Sequence, residues 1–381
     1  MISKEFIKAL TEIRHHIHQN PELSELEFNT TAFLKEKIEA EGIEILPSNG
    51  LKTGFVAKIG SGKPVIALRA DIDALPILEK TGLSYASQND GIMHACGHDL
   101  HMTSLLGAAK LLKLRENEIK GTIKLIFQPA EEIGTGARDV IAAGLVDDVQ
   151  AFFGFHNIPT LPAGTIGLRD KGVMAAVEQF DVKIIGQGSH AAYPQEGRDP
   201  IVATAAIIQN LQQVVARNVP PLEAAVLSVT HIESGNTWNV LPDSARFEGT
   251  IRTFDEKMRQ MTKDRFIEIV NATAIAYGVK AEIKWIMGSS ATYNDPKLTA
   301  YLFEQTKAWH NATLVPEPSS AGEDFASYGD LAPSVFAFIG SNAVGASGLH
   351  FADMIVKDET ISVAVEYYVE TAFSMLTYLN E

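Results

Sequence analysis

The sequence predicts an α/β fold: a mixed, mostly parallel sheet flanked by helices, with an α+β domain inserted into it. Three observations lead there. The 381 residues exceed what one hydrophobic core usually accommodates, so two domains are expected. Short apolar runs alternate with helical stretches in the first part of the chain. In the middle a β-α-β-β-α-β order replaces that alternation and then gives way again.

The opening stretch, MISKEFIKALTEIRHHIH, is charged and amphipathic, and it lacks the apolar run and small-residue cleavage site of a signal peptide. From about residue 64 the strand-like runs VIALR (65–69), TIKLIF (122–127) and AFFGFH (151–156) are interleaved with the helix-like DLHMTSLLGAAKLLKL (99–114). Strands alternating with helices imply a largely parallel sheet covered by helices. Between about Met174 and Ser290, QFDVKIIGQG reads as a strand, DPIVATAAIIQNLQQVVARN as a helix, and AVLSVTHIE and SARFEGTIRTF as strands. DEKMRQMTKDRFIEIVNATAIAYG then reads as a helix and AEIKWIM as a strand, the order of a ferredoxin-like unit. The first pattern resumes with SVFAFI (334–339) and a closing helix near ISVAVEYYVETAFSMLTYL (361–379). The expected division is therefore a discontinuous domain of residues 1–173 and 291–381, and an inserted domain of residues 174–290.

Composition narrows the function. Thirty-two basic residues against 47 acidic ones give a formal charge of −15, which opposes binding to a phosphate backbone. No nucleic-acid partner is expected. No run approaches ~18 uninterrupted apolar residues, so no membrane span is expected either. The one cysteine, Cys96, cannot form an intramolecular disulfide, which fits a reducing, cytoplasmic setting.

Histidine is scarce, 11 in all, yet four polar clusters with candidate ligands follow strand-like runs or open a helix. VIALR runs into Asp71 and Asp73, TIKLIF into Glu131 and Glu132, and AFFGF into His156. Ligands of open α/β sheets bind at the carboxyl ends of strands, so these groups should converge on one rim. The fourth cluster, His94-Ala95-Cys96-Gly97-His98-Asp99-Leu100-His101, lies where a helix would begin. Thiolate, imidazole and carboxylate together are the usual ligands of zinc and related divalent ions. Cys96 and His98 can turn toward one ion, with Gly97 removing a side chain from the crowded turn.

Each residue also has a plainer reading. A lone cysteine is usually a small hydrophobe, but histidines at positions 94 and 98 favour the ligand reading for Cys96 and His98. His94 and His101 fit capping, packing or hydrogen bonding to a ligand better than ligation itself. Adjacent Glu131 and Glu132 fit either a solvated pair or a division of labour, one ligating and one accepting a proton. Adjacency does not say which does which. Gly134 and Gly136 beside them favour a close approach of backbone or ligand. Asp73 suits either a turn cap or an acceptor that fixes the tautomer of a ligating histidine. His156 reads as a ligand, while nothing local identifies His350 in GASGLHF.

LRADIDALP, MHACGHDLHM, FQPAEE, GFHNIP, GSHAAYP, TWNVLPD, EGTIRTF and AGEDF, in this order, resemble the bacterial N-acyl-L-amino-acid amidohydrolases. That family includes hippurate hydrolases, N-acetyldiaminopimelate deacetylases and plant auxin-conjugate hydrolases. The resemblance spans nearly the whole chain. It implies a zinc-exopeptidase-like catalytic domain with two divalent metal ions, manganese or zinc, with cobalt or nickel as substitutes in vitro. It also implies an inserted lid domain through which the protein forms a homodimer. Cys96, His98, Glu132, His156 and His350 match the family's metal ligands, with the thiolate bridging, and Glu131 matches its general base. In the inserted domain His190, Asn239 and Arg252 match positions that bind the scissile carbonyl or the substrate carboxylate; unaided, they read as two turn residues and a surface arginine.

The implied reaction is hydrolysis of a small N-acyl-L-amino acid to a carboxylate and a free amino acid. Three alternatives compete with it. A dipeptidase or carboxypeptidase would use the same metals on a substrate with a free ammonium. A thiol hydrolase would use Cys96 as nucleophile and leave the clustered carboxylates unexplained. A metal-containing binding protein would have no need of a base at Glu131.

Overall fold

The computed structural model describes residues 2–47, 50–310 and 313–381. The chain divides into two compact units. One comprises residues 1–171, 293–317 and 324–381, and the other residues 172–292 and 318–323. Residues 318–323 thus belong with the inserted unit, although the sequence reading assigned them to the first domain. They do so because Ala175 donates its N–H to the carbonyls of Ser319 and Ala321, tying this return segment to the start of the insertion.

The larger unit is built on an eight-stranded sheet. Its first strands are β1 (Glu44–Ile45), β2 (Phe55–Gly60), β3 (Val65–Asp71), β4 (Thr122–Gln128) and β5 (Ala151–Pro162). β3 pairs in parallel with both β4 and β5, and β5 pairs in parallel with Ser334–Asn342. β2 joins β4 in the antiparallel sense, and β1 joins β2 likewise. Every residue of β3 and β4 is buried, as expected for parallel strands covered on both faces. Three helices precede or follow these strands: α1 (Lys4–Gln19), α2 (Phe28–Ala40) and α3 (His98–Leu114). The sequence predicts α3 and the closing helix, observed at Thr360–Asn380, but not α1, α2, β1 or β2.

A polar network holds α1 to the start of α3. Arg14 Nε and His18 Nδ1 lie 2.9 and 3.0 Å from Asp99 Oδ2, and His18 Nε2 lies 3.3 Å from Glu79. Burial alone would lower the pKa of His18, but the charges and hydrogen bonds of Asp99 and Glu79 outweigh it and raise the value to about 9. A raised folded-state pKa stabilises the fold fully below the unfolded value of 6.5 and loses that effect as pH rises through 9. Wild type is therefore expected to exceed a His18→Gln variant in unfolding free energy by on the order of 3 kcal/mol at pH 6, with most of the excess gone by pH 10. Urea unfolding of the two proteins across this range checks it; a difference independent of pH contradicts it.

The inserted unit follows the predicted order. Strand Ala176–Ile185 lies between Ser244–Thr253 and Lys280–Ser289, and Ala225–Ser234 is outermost beside Ser244–Thr253. All neighbours are antiparallel, and helices Pro200–Gln213 and Glu256–Ala276 complete a ferredoxin-like topology. Phe180, Phe247 and Phe266 anchor its core. Among the described residues no helix is long and apolar enough to cross a membrane.

Candidate metal centre

Five predicted ligands from four chain segments meet at the sheet rim. The turn into α3 carries Cys96 and the first residue of α3 is His98, the turn after β4 carries Glu132, β5 carries His156, and the segment before the closing helix carries His350. Cys96 Sγ lies 3.4 Å from His156 Nε2 and 3.3 Å from His350 Nε2. His350 Nε2 is 3.5 Å from Glu132 Oε2, and His98 Nε2 is 3.8 Å from Glu132 Oε1. Donor atoms of Cys96, His98 and His156, and of Cys96, Glu132 and His350, lie mutually close enough to hold an ion. His98, Glu131 and Glu132 form a further such group.

Local backbone geometry produces this convergence. Gly97 adopts φ +83°, and a Cβ there would sit 2.3 Å from Asn157 Oδ1, so the turn between Cys96 and His98 requires glycine. A Cβ on Gly136 would meet the Pro129 carbonyl oxygen at 1.6 Å, which accounts for the glycine after the paired glutamates. His350, itself at φ +65°, donates its N–H to the Ala95 carbonyl at 2.8 Å and so is tied to the cysteine turn.

Hydrogen bonding sets the tautomers. His98 Nδ1 lies 3.0 Å from the Asp73 carbonyl oxygen and 3.2 Å from Asp73 Oδ1, both acceptors, so it carries the proton and directs Nε2 inward. His156 Nδ1 donates to the Asn157 carbonyl at 2.8 Å, leaving its Nε2 lone pair toward Cys96. His98 Nε2 and Glu132 Oε1 are buried without hydrogen-bond partners among the described residues. Two inward-directed donors without partners, beside a thiol and two more imidazoles, fit a divalent cation.

The electrostatics point the same way. Burial, then the negative charges of Glu132, Glu131 and Asp71, push the Cys96 thiol up, and burial raises Glu132 to about 7. Burial opposes protonation of His98, yet Asp71, Asp73 and Glu132 raise it to about 10. His156 is held well below its ordinary value by burial and then by His101. The centre attracts positive charge, which is what a thiolate and carboxylates require to serve together as ligands.

Asp73 accepts from the Ser24 hydroxyl (2.7 Å) and from the Glu132 N–H (3.0 Å) besides orienting His98. His101 accepts the Asn157 N–H at Nε2 (3.0 Å) and donates from Nδ1 to Asp71 (2.6 Å), so it supports the centre through Asp71. His94 is buried and neither ring nitrogen has a partner among the described residues. The sequence reading missed the inner network behind Asp71. Arg69 donates to Asp71 (2.7 Å), Gln128 (2.8 Å) and Asp324 (2.8 Å), and the Asp324 N–H reaches Glu131 Oε1 at 3.4 Å. An arginine inside an apolar strand was the one available signal.

In the inserted unit, His190 sits in a short strand whose register partner is Val240, beside Asn239. Its Nδ1 accepts the Ala192 N–H (3.1 Å), while Asn239 accepts the Ala191 N–H on its carbonyl (3.0 Å). Arg252, on strand Ser244–Thr253, is partly buried with no ion pair among the described residues, and burial lowers its pKa. A guanidinium in that state suits an anionic ligand.

The family model described as Peptidase family M20/M25/M40 matches residues 67–374. An N-acetyl-L-cysteine deacetylase of Bacillus subtilis strain 168 is 46% identical over 376 residues, which cover 98% of this chain and 89% of that protein. An N-acetylcysteine deacetylase of the same strain is 43% identical over 378 residues, 99% of each chain. Among solved structures, a dinuclear metal-binding peptidase of the M20 family from Bacillus subtilis matches with TM-score 0.88 at 40% identity, covering 98% of this chain and 99% of that one.

Proposed function

The chain belongs to peptidase family M20/M25/M40, and from that premise we propose that it is a metal-dependent amidohydrolase of small N-acyl-L-amino acids. The observation that carries the proposal is the pair of buried donors without hydrogen-bond partners among the described residues, His98 Nε2 and Glu132 Oε1, directed at the thiol and imidazoles around them. The deacetylase names of the Bacillus subtilis relatives support N-acetyl-L-amino acids as the substrate class.

Cys96, His98, Glu132, His156 and His350 would hold two divalent ions, manganese or zinc. When bound, such ions polarise a scissile carbonyl and lower the pKa of water. Glu131 takes the proton from the attacking water as oxygen adds to the amide carbon, and passes it to the amide nitrogen as the C–N bond breaks. His190 donates a hydrogen bond to the oxyanion that develops, and Asn239 assists in holding the acyl carbonyl. Arg252 pairs with the substrate carboxylate, offsetting the repulsion between an anionic substrate and an acidic protein. Asp73 keeps His98 in its ligating tautomer. Exposed Val226 and Ile232 on the outermost strand of the inserted sheet support homodimerisation through that unit.

A side-by-side assay of N-acetyl-L-cysteine, other N-acetyl-L-amino acids and free dipeptides tests the substrate class. Turnover of the acylated compounds, with dipeptides cleaved far more slowly, is expected because a dipeptide brings an ammonium group where the acyl group is neutral. Preferential cleavage of dipeptides would replace the deacylase with a peptidase. Stoichiometric binding without product would leave only a binding protein.

A further inference from the structure

The turn that carries Glu131 is secured on both sides by buried carboxylates. On the far side the Glu132 N–H donates to Asp73 Oδ2 at 3.0 Å. On the near side the Ala130 N–H donates to Glu27 Oε1 at 2.9 Å. Ala130 has φ +52°, a left-handed conformation that a residue with a Cβ holds only when its surroundings impose it.

Glu27 stands just before α2, far from the site in sequence, and has no exposed surface. Its second oxygen accepts the Thr53 hydroxyl at 2.7 Å, and no lysine, arginine or histidine pairs with it among the described residues. Burying a carboxylate without a counter-ion is costly, and a purely structural link between α2 and β4 would be served as well by apolar packing. The same α1–α2 loop supplies Ser24 to Asp73, so one segment supports both carboxylates that flank the Glu131 peptides.

We infer that Glu27 is a positioning residue for the hydrolytic reaction: by accepting the Ala130 N–H it holds the left-handed turn that aims the Glu131 carboxylate. This rests on the reading of Glu131 as the base.

The test measures kcat, KM and metal-to-protein ratio of the metal-loaded enzyme with an N-acetyl-L-amino acid. Glu27→Met and Glu27→Gln are each made with Glu131 intact and with Glu131→Gln. Glu27→Met, which preserves volume and removes the acceptor, is expected to lower kcat about 10- to 100-fold with KM within about twofold and metal content unchanged. Glu27→Gln retains an oxygen for the Ala130 N–H and an amide NH2 that can donate to the Thr53 hydroxyl oxygen, and should recover to within a few-fold of wild type. In the Glu131→Gln background Glu27→Met should cause no further loss, because its effect passes through that carboxylate. Should Glu27→Met not fold, Glu27→Asp, which keeps the charge but shortens its reach, should lower kcat in the same direction. Equal fold-losses in both backgrounds, metal lost in step with activity, or Gln no better than Met would each overturn the inference while leaving the base assignment intact. Wild-type turnover in Glu131→Gln alone overturns the base assignment and this inference with it.

Discussion

Glu131→Gln is expected to lower kcat on an N-acetyl-L-amino acid by about 10²- to 10⁴-fold at unchanged metal content. Glutamine is isosteric and can still accept the Asp324 N–H, found at 3.4 Å from Glu131 Oε1, so the turn should persist. What it cannot do is take a proton from water and return it to the leaving nitrogen. Glu132, one residue on, is the proposed ligand, so its removal should cost metal. Measuring turnover and bound metal on both variants separates the roles; metal loss in Glu131→Gln, or metal retention in Glu132→Gln, would exchange them.

Asp99→Asn is expected to destabilise the larger unit by about 3 to 5 kcal/mol, the range for breaking a buried ion pair from one side. Asp99 faces Arg14 at 2.9 Å and His18 at 3.0 Å, all three buried. Burial opposes ionisation of Asp99, but Arg14 and His18 hold its carboxyl well below the usual carboxylate range. Its depressed pKa means that this contribution is present above the unfolded value near ~3.9 and is lost as pH falls. Urea unfolding of metal-stripped wild type and variant at pH 7 gives the difference free of linkage to bound metal. A loss below ~1 kcal/mol, typical of an exposed pair, would mean that the network is not the anchor of α1 to α3.

Much of the sheet was legible because buried parallel strands write themselves as unbroken apolar runs: VIALR and TIKLIF extend in the structure only to Asp71 and Gln128. Cys96, His98, the Glu131–Glu132 pair and His156 were legible as candidates for a related reason, since each follows such a strand or opens the helix beside it; which glutamate ligates was not, and came only from the resemblance. His350 was not, because its place depends on a backbone bond to Ala95 and a left-handed φ, neither of which is written in GASGLHF. Resemblance alone brought it into the site. Glu27, Arg14 and the Arg69–Asp324 pair stayed hidden for a different reason. Each reaches its partner across a long stretch of chain, and a polar residue on a helix or in a strand reads locally as a solvated one until its burial is seen. The α1–α2 region carries no ligand of its own, so nothing marked it as part of the site's support.

The central claim, that a divalent-metal centre at Cys96 drives amide hydrolysis, is tested most directly by titrating manganese or zinc into chelator-stripped protein while following release of the free amino acid from an N-acetyl-L-amino acid. The expected result is no turnover without metal and a rise to a plateau near two ions per chain, with Cys96→Ser reaching neither the plateau nor that stoichiometry. Undiminished turnover by the stripped protein, or full metal loading and activity in Cys96→Ser, would contradict it.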